Sequence, residues 1–247
     1  MIKFIAFDLD GTLAKQGKGL KPSTVEYLKN LEEQNVRVAI CSGKTSFYLC
    51  GLLRQLELKQ PIIIGENGAD IQFGTDLPPK IFHFARYPKK VAENLIWLES
   101  QIKNMFNNEM WFQPNRIGVT PFPRVANEFD TIRNFLNENK ERLVGLDVYE
   151  HCDCFDIVPS GISKKEALKT VAKMLNIKEC EMAAMGDGVN DYPMFEIAGL
   201  SVGINLKDPS KVDINFESID KALEYINKTE VLNKTYCQKQ YYKGFSN

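Results

Sequence analysis

An open parallel α/β sheet carrying a smaller α+β insert is the architecture this sequence predicts. Three observations predict it. Apolar runs of strand length alternate with helical patterning in both the first and last thirds of the chain, that alternation breaks in the middle, and 247 residues leave room for a large domain plus an insert at ~100–200 residues per domain.

Residues 2–10 place Phe4, Ala6, Asp8 and Asp10 on one face and Lys3, Ile5, Phe7 and Leu9 on the other. Both faces are mostly apolar, as in a parallel strand covered on both sides by helices. Ser23-Thr24-Val25-Glu26 reads as a capping box, followed by Val25, Leu28 and Leu31 at helical spacing up to Asn35. The rhythm repeats with a strand at Val36–Ile40, a helix over Thr45–Leu56 and the β-branched run Ile62–Ile64 before Gly65. Three βα units in series imply an open parallel sheet.

Pro78-Pro79 marks a linker. Beyond it come strand candidates near Ile81–Tyr87, Met110–Gln113, Arg116–Thr120 and Leu143–Tyr149, with helices over Val91–Asn107 and Asp130–Lys140. This stretch reads as an inserted α+β domain, residues 80–157, in a core made of residues 1–79 and 158–247. Trp97, Trp111 and Phe112 are expected to pack its interior. The βα pattern resumes at Phe155–Val158, with a helix from Lys164, a strand at Met182–Met185, a helix after Asp191 and a last strand at Leu200–Ile204. The tail from Lys228 shows no clear period and is assigned no function.

Hydrophobic residues at 44% and charged residues at 26% exclude wholesale disorder. A formal net charge of −1 provides no global field for nucleic acid, and no clear basic or aromatic platform emerges. The apolar N-terminus meets Asp8 too early for a secretory or membrane segment, which points to the cytoplasm, and the six cysteines are accordingly expected to be free thiols. His151-Cys152-Asp153-Cys154 resembles a metal-binding fragment but supplies few close donors, and reads as linker or packing.

Four short segments fall at the carboxyl end of an expected strand or the start of a helix, where open α/β sheets bind ligands. In Asp8-Leu9-Asp10-Gly11-Thr12 the period of two sends both carboxylates to one side, and Gly11 allows a sharp turn. Ser42-Gly43-Lys44 offers a hydroxyl and backbone N–H groups suited to an anion. Ser163 and Glu166 form a capping box that puts Lys164 in the first turn of a helix, where a cation is locally unfavourable by ~0.3–1 kcal/mol and so asks for a reason beyond stability. Gly186-Asp187-Gly188-Val189-Asn190-Asp191 adds two carboxylates on a glycine-rich loop. Four converging acids repel one another unless a hard cation neutralises them, and oxygen donors without nearby His or Cys select Mg²⁺, which in turn favours a phosphate ester as partner. A carboxylate such as Asp8 is able to attack phosphorus, and Asp10 to protonate the leaving oxygen and then activate water.

These segments, in this order and spacing, closely resemble the motifs of the haloacid dehalogenase superfamily of phosphohydrolases, with Asp8-Leu-Asp-Gly-Thr12 as the first, Ser42 the second, Lys164 the third and Gly186-Asp-Gly-Val-Asn-Asp191 the fourth. The resemblance implies a Rossmann-like core. It also implies that Asp8 is nucleophile and metal ligand, that Asp10 is general acid/base and lends its carbonyl to Mg²⁺, and that Asp187 is the second carboxylate ligand, with Asp191 orienting from behind. Ser42, Gly43 and Lys164 would hold the phosphoryl oxygens, with Asn190 alongside. The insert and Gly65-Glu-Asn-Gly-Ala69 resemble the Cof-like branch with its α/β (type IIB) cap, which implies a small phosphorylated substrate such as a sugar phosphate, and a cap that excludes water and reads the leaving group. Lys44 departs from the Arg that often follows the second motif there and forfeits bidentate phosphate geometry. A sugar phosphomutase and a non-catalytic metabolite-binding regulator are the competing readings. Neither the substrate nor the oligomeric state is legible at this level.

Overall fold

The computed structural model describes residues 1–236. Two compact units divide it: Met1–Phe84 together with the chain from Ser163 onward, and Ala85–Ile162.

The first unit begins β1 (Phe4–Phe7), α1 (Pro22–Glu33), β2 (Arg37–Cys41), α2 (Ser46–Leu56), β3 (Ile62–Gly65), β4 (Asp70–Phe73) and β5 (Ile81–Phe84). The second holds α3 (Lys89–Met105), β6 (Trp111–Phe112), β7 (Pro121–Phe122), α4 (Ala126–Glu138), β8 (Leu146–Glu150) and β9 (Phe155–Pro159). The first unit resumes with α5 (Lys164–Leu175), β10 (Met182–Gly186), α6 (Tyr192–Ile197), β11 (Leu200–Ile204), β12 (Ile214–Phe216), α7 (Ile219–Ile226) and α8 (Thr229–Asn233).

The core sheet runs β12-β11-β10-β1-β2-β3-β4-β5. Pairings from β12 through β3 are parallel, whereas β4 and β5 are added antiparallel. The reversal follows from the turn after β3, where Glu66, Asn67 and Gly68 all have positive φ and fold the chain straight back. Side chains alternate to two apolar layers. Ile5, Phe7, Val38, Ile40 and Met185 share one with Leu28 and Leu31 of α1 and Leu223 and Ile226 of α7. Phe4, Ala6, Ala39 and Ile64 share the other with Leu168 and Val171 of α5 and Met194 and Phe195 of α6. Full burial of β1, β3, β10 and β11, and of β2 beyond Arg37, explains their near-continuous hydrophobic reading.

The second unit has its own core, in which Val91, Leu95, Leu98 and Ile102 of α3 and Ile132 and Leu136 of α4 pack with Leu146, Phe155 and Ile157 of the β8–β9 ribbon. Trp97 stacks on Phe135 at 5.7 Å between ring centroids and packs against this core.

Several local expectations need correction. Phe155–Val158 is not a returning core strand: β9 pairs antiparallel with β8 inside the second unit, while Ile81–Phe84 joins the core sheet as its edge. A short apolar run declares burial without naming the strand it pairs with. Helix α1 starts at Pro22, with Lys21 as an N-cap that makes no side-chain bond; proline's fixed φ suits the first turn and displaces the box expected at Ser23. Trp111 is 54% exposed and meets Phe122 edge-on rather than filling the core. Cys41, Cys50, Cys152 and Cys154 are free thiols, but Cys180 is disulfide-bonded. The positions of cysteines along a chain do not show which sulfurs the fold brings together. Cys237 and residues 237–247 of the tail lie outside the described residues.

Candidate active site

The site residues all belong to the first unit and gather at the carboxyl ends of its central strands. Asp8 directly follows β1, and its N–H donates to the Met185 carbonyl of β10 at 2.9 Å, fixing the first acidic segment against the fourth. Burial of Phe4, Ala6 and Phe7 anchors the strand that delivers it. Lys164 opens α5, whose N-cap is Ser163, with the Ser163 hydroxyl accepting from Glu166 N–H at 3.3 Å. Placed there, the ammonium reaches between two carboxylates: Nζ donates to Asp8 Oδ1 and to Asp191 Oδ1, each at 2.6 Å. Its side chain is 1% exposed.

Asp191 uses its other oxygen to accept from Asp187 N–H at 2.9 Å and Gly188 N–H at 3.1 Å. It therefore shapes the loop that carries Asp187 while gripping Lys164. Asp187 Oδ1 accepts from Thr12 Oγ1 at 2.9 Å. Gly11, between the first pair of acids and Thr12, has φ +91°, and a Cβ there would lie 2.1 Å from Asp187 Oδ2. Only glycine permits both the turn and that approach.

Asp8, Asp187 and Asp191 each offer an oxygen within 4.8 Å of the others. Desolvation pushes the Asp8 carboxyl up to about 7; Lys164 opposes this, while Asp191 and Asp187 add to it. Asp187 is raised as well, first by burial and then by Asp191, against the bond from Thr12. Burial works against the Lys164 charge, yet Asp191 and Asp8 together hold it above the ordinary lysine range. Cys41, at the end of β2, is pushed up to about 12 by burial and stays a neutral thiol.

Three carboxylates against one ammonium leave two negative charges uncompensated, and the donors are all oxygen. That set fits a small hard divalent cation, which binds few carboxylates and completes its shell with water and phosphate oxygen.

Asp10 lies beyond this enclosed group with its side chain 28% exposed, facing Lys44 Nζ at 3.5 Å. Ser42 is buried at the carboxyl end of β2, its hydroxyl accepting from Lys44 N–H at 3.2 Å, and Gly43 sits between them. Asn190 is half-buried in the turn with Asp191, its side-chain oxygen close over Gly188. Sequence reasoning missed the Thr12–Asp187 bond and the Lys44–Asp10 pairing. Thr12 stood in the quoted motif, but a hydroxyl there does not announce a partner 175 positions away.

The family model described as haloacid dehalogenase-like hydrolase matches residues 5–150 and 119–215. The chain belongs to that family, in its Cof-like branch. It is 24% identical over 249 residues to the 5-amino-6-(5-phospho-D-ribitylamino)uracil phosphatase YwtE of Bacillus subtilis, covering 80% of this chain and 86% of that one. It is 26% identical over 205 residues to a phosphoglycolate phosphatase of Archaeoglobus fulgidus, covering 82% and 83% respectively. In fold it is similar to a haloacid dehalogenase-like hydrolase from Bacteroides thetaiotaomicron, with TM-score 0.72 at 20% identity over 92% of this chain and 100% of that one.

Proposed function

We propose that this protein is a Mg²⁺-dependent phosphatase that hydrolyses a sugar phosphate or similar small metabolite through an aspartyl-phosphate on Asp8. At the coarser level the chain is a haloacid dehalogenase-like phosphoric monoester hydrolase for small phosphorylated metabolites, the kind of substrate that the names of its relatives specify. The observation that carries the reading is the buried ammonium of Lys164, held 2.6 Å from both Asp8 and Asp191 with Asp187 close by.

In this reading Asp8, Asp187 and the Asp10 carbonyl would hold Mg²⁺, with Asp191 fixing the loop behind them. When bound, the ion would supply charge neutralisation for the phosphoryl oxygens. A carboxylate oxygen of Asp8 attacks phosphorus, the ester P–O bond breaks, and the Asp10 carboxyl gives its proton to the departing alkoxide. Asp10, now ionised, takes a proton from water as that water attacks phosphorus, the Asp8–phosphorus bond breaks, and inorganic phosphate leaves. Asp10 is partly exposed to solvent, while enclosure of Asp8 keeps it in place. Lys164, Ser42, the N–H of Gly43 and Asn190 steady the transferring oxygens, stabilisation that phosphoryl transfer depends on more than on covalent chemistry.

The test is phosphate release over a panel of sugar phosphates, nucleotides and phosphorylated cofactors, with and without Mg²⁺. Turnover that needs the metal and falls at least ~10³-fold in Asp8→Asn is expected; full activity in that variant sinks the assignment. No helix among the described residues is long and apolar enough to cross a membrane. A cytoplasmic location belongs to the same proposal; the disulfide at Cys180 argues the other way, and cell fractionation distinguishes them.

A further inference from the structure

The second unit carries a cluster of quite different chemistry. Strands β8 and β9 form an antiparallel ribbon in which Glu150 faces Phe155 and Tyr149 faces Asp156. Residues 151–154 make the connection, closed by a bond from His151 N–H to the Cys154 carbonyl at 2.8 Å. Continuing the register sets His151 opposite Cys154, and opposite residues of an antiparallel pair share a face. Asp156 lies two residues past Cys154 and so projects from that same face. Geometry agrees: one donor atom from each of His151, Cys154 and Asp156 falls within 4.8 Å of the other two.

We propose that His151, Cys154 and Asp156 form a Zn²⁺ site at the turn of this ribbon. Nitrogen, sulfur and carboxylate oxygen together are the donors of a borderline-soft divalent ion, in contrast to the all-oxygen cluster beside Lys164. At ordinary Zn–ligand lengths, tetrahedral donors stand roughly 3.3–3.8 Å apart. His151 Nε2 and Asp156 Oδ2 are 3.2 Å apart, near the lower end of that spacing, and the three donors together lie within 4.8 Å of one another. Asp156 is aimed from behind: its Oδ1 accepts from Thr120 Oγ1 at 2.8 Å, and that hydroxyl accepts from Asn115 Nδ2 at 2.7 Å. Such outer contacts orient metal-binding carboxylates, and the other oxygen of Asp156 is the one that faces His151 Nε2. Cys154 is buried, whereas His151 is half-buried and lines a cleft of about 400 Å³ that gives an ion its way in. Water would take the fourth position, and the Cys154 thiol gives up its proton on binding. The segment 151–154 by itself reads as linker or packing for want of close donors, because Asp156 lies outside it.

The experiment uses the full chain handled under inert gas without added reductant, so that the disulfide at Cys180 stays closed. Zn²⁺ is titrated against a chromogenic chelator, and Co²⁺ is then used as a spectroscopic probe. One Zn²⁺ per chain should bind with an affinity that falls at least ~10-fold in His151→Gln and Asp156→Asn, typical of lost site contacts. Co²⁺ should give thiolate-to-metal charge-transfer absorption that persists in Cys152→Ser and in Asp187→Asn but disappears in Cys154→Ser. Persistence in Asp187→Asn separates this site from the core cluster, whose own failure would leave the result unaffected. A wild-type Co²⁺ spectrum without the thiolate band overturns the proposal without reliance on any variant's folding. So does Zn²⁺ affinity unchanged in His151→Gln, or a band abolished by Cys152→Ser alone.

Discussion

The two units treat charge in opposite ways. In the core unit an ammonium and two carboxylates are enclosed together, with Lys164 at 1% exposure between Asp8 and Asp191. In the insert, Arg133 of α4 pairs with Glu150 of β8, and both side chains are more than 40% exposed. Enclosing charge carries a desolvation cost of several kcal/mol per ion that mutual attraction recovers only with close to ideal geometry, and an apolar replacement is often just as stable. An exposed pair carries little cost and contributes little. The contrast therefore points to chemistry at Lys164 and to a solvated pair of little consequence at Arg133.

The largest effect should come from breaking the enclosed group on one side. Lys164→Met leaves Asp8 and Asp191 buried without their shared counter-charge, which should cost roughly 3–5 kcal/mol in denaturant melts and abolish phosphate release. A variant as stable as the parent would mean that the two carboxylates do not depend on the shared ammonium as the 2.6 Å contacts indicate. Gly11→Ala comes next. Its Cβ would enter the space of Asp187 Oδ2, and displacement of that carboxylate by ~1 Å should lower kcat/KM on the order of 10²-fold. Fold loss should be smaller, measured by circular dichroism in the same samples.

Legibility followed the same divide. The motif residues of the core could be read because their spacing is rigid: a strand end, a helix start and a glycine-rich turn each fix where a carboxylate or ammonium goes. Thr12 and Lys44 escaped because their partners, Asp187 and Asp10, depend on loop paths rather than periodicity. The edge strands were misread for a different reason. Nothing in Phe155–Val158 distinguishes a buried parallel strand from half of a packed hairpin, and the backward turn at Glu66–Gly68 rests on positive φ at Glu66 and Asn67, which residue type alone does not announce.

The pH dependence of stability sharpens the comparison. Asp8 titrates near 3.8 when unfolded and at about 7 when folded without metal. Between those values the folded state holds more protons than the unfolded state, so this group lowers stability as pH rises across the window. Asp187, also raised, acts in the same direction. Lys164 stays protonated throughout. Carboxylates held low by their partners, Glu150 by Arg133 and Glu181 by Lys3, complete their stabilising contribution just above their unfolded value of 4.5, in the lower part of this window. From about pH 5 to 7 the metal-free protein should thus lose melting temperature relative to Asp8→Asn, and Mg²⁺ should reverse the loss. A difference that is flat with pH would mean that Asp8 is ionised across the whole range.

The smallest effect is expected at Arg133, whose guanidinium donates to both oxygens of Glu150, at 2.6 and 3.1 Å, and also pairs with Asp130. Its geometry is as favourable as an exposed pair offers, since two parallel donors meet one carboxylate and tie α4 to β8. Water and salt nevertheless screen it, and the apolar contacts of Ile132, Leu136, Leu146 and Phe155 hold the same elements together. Arg133→Ala should leave the denaturant midpoint within repeat error in concentrated salt and lower it only slightly in dilute buffer. A large loss persisting in salt would show that the insert leans on this pair, and exposure would then no longer separate functional from incidental charge in this protein.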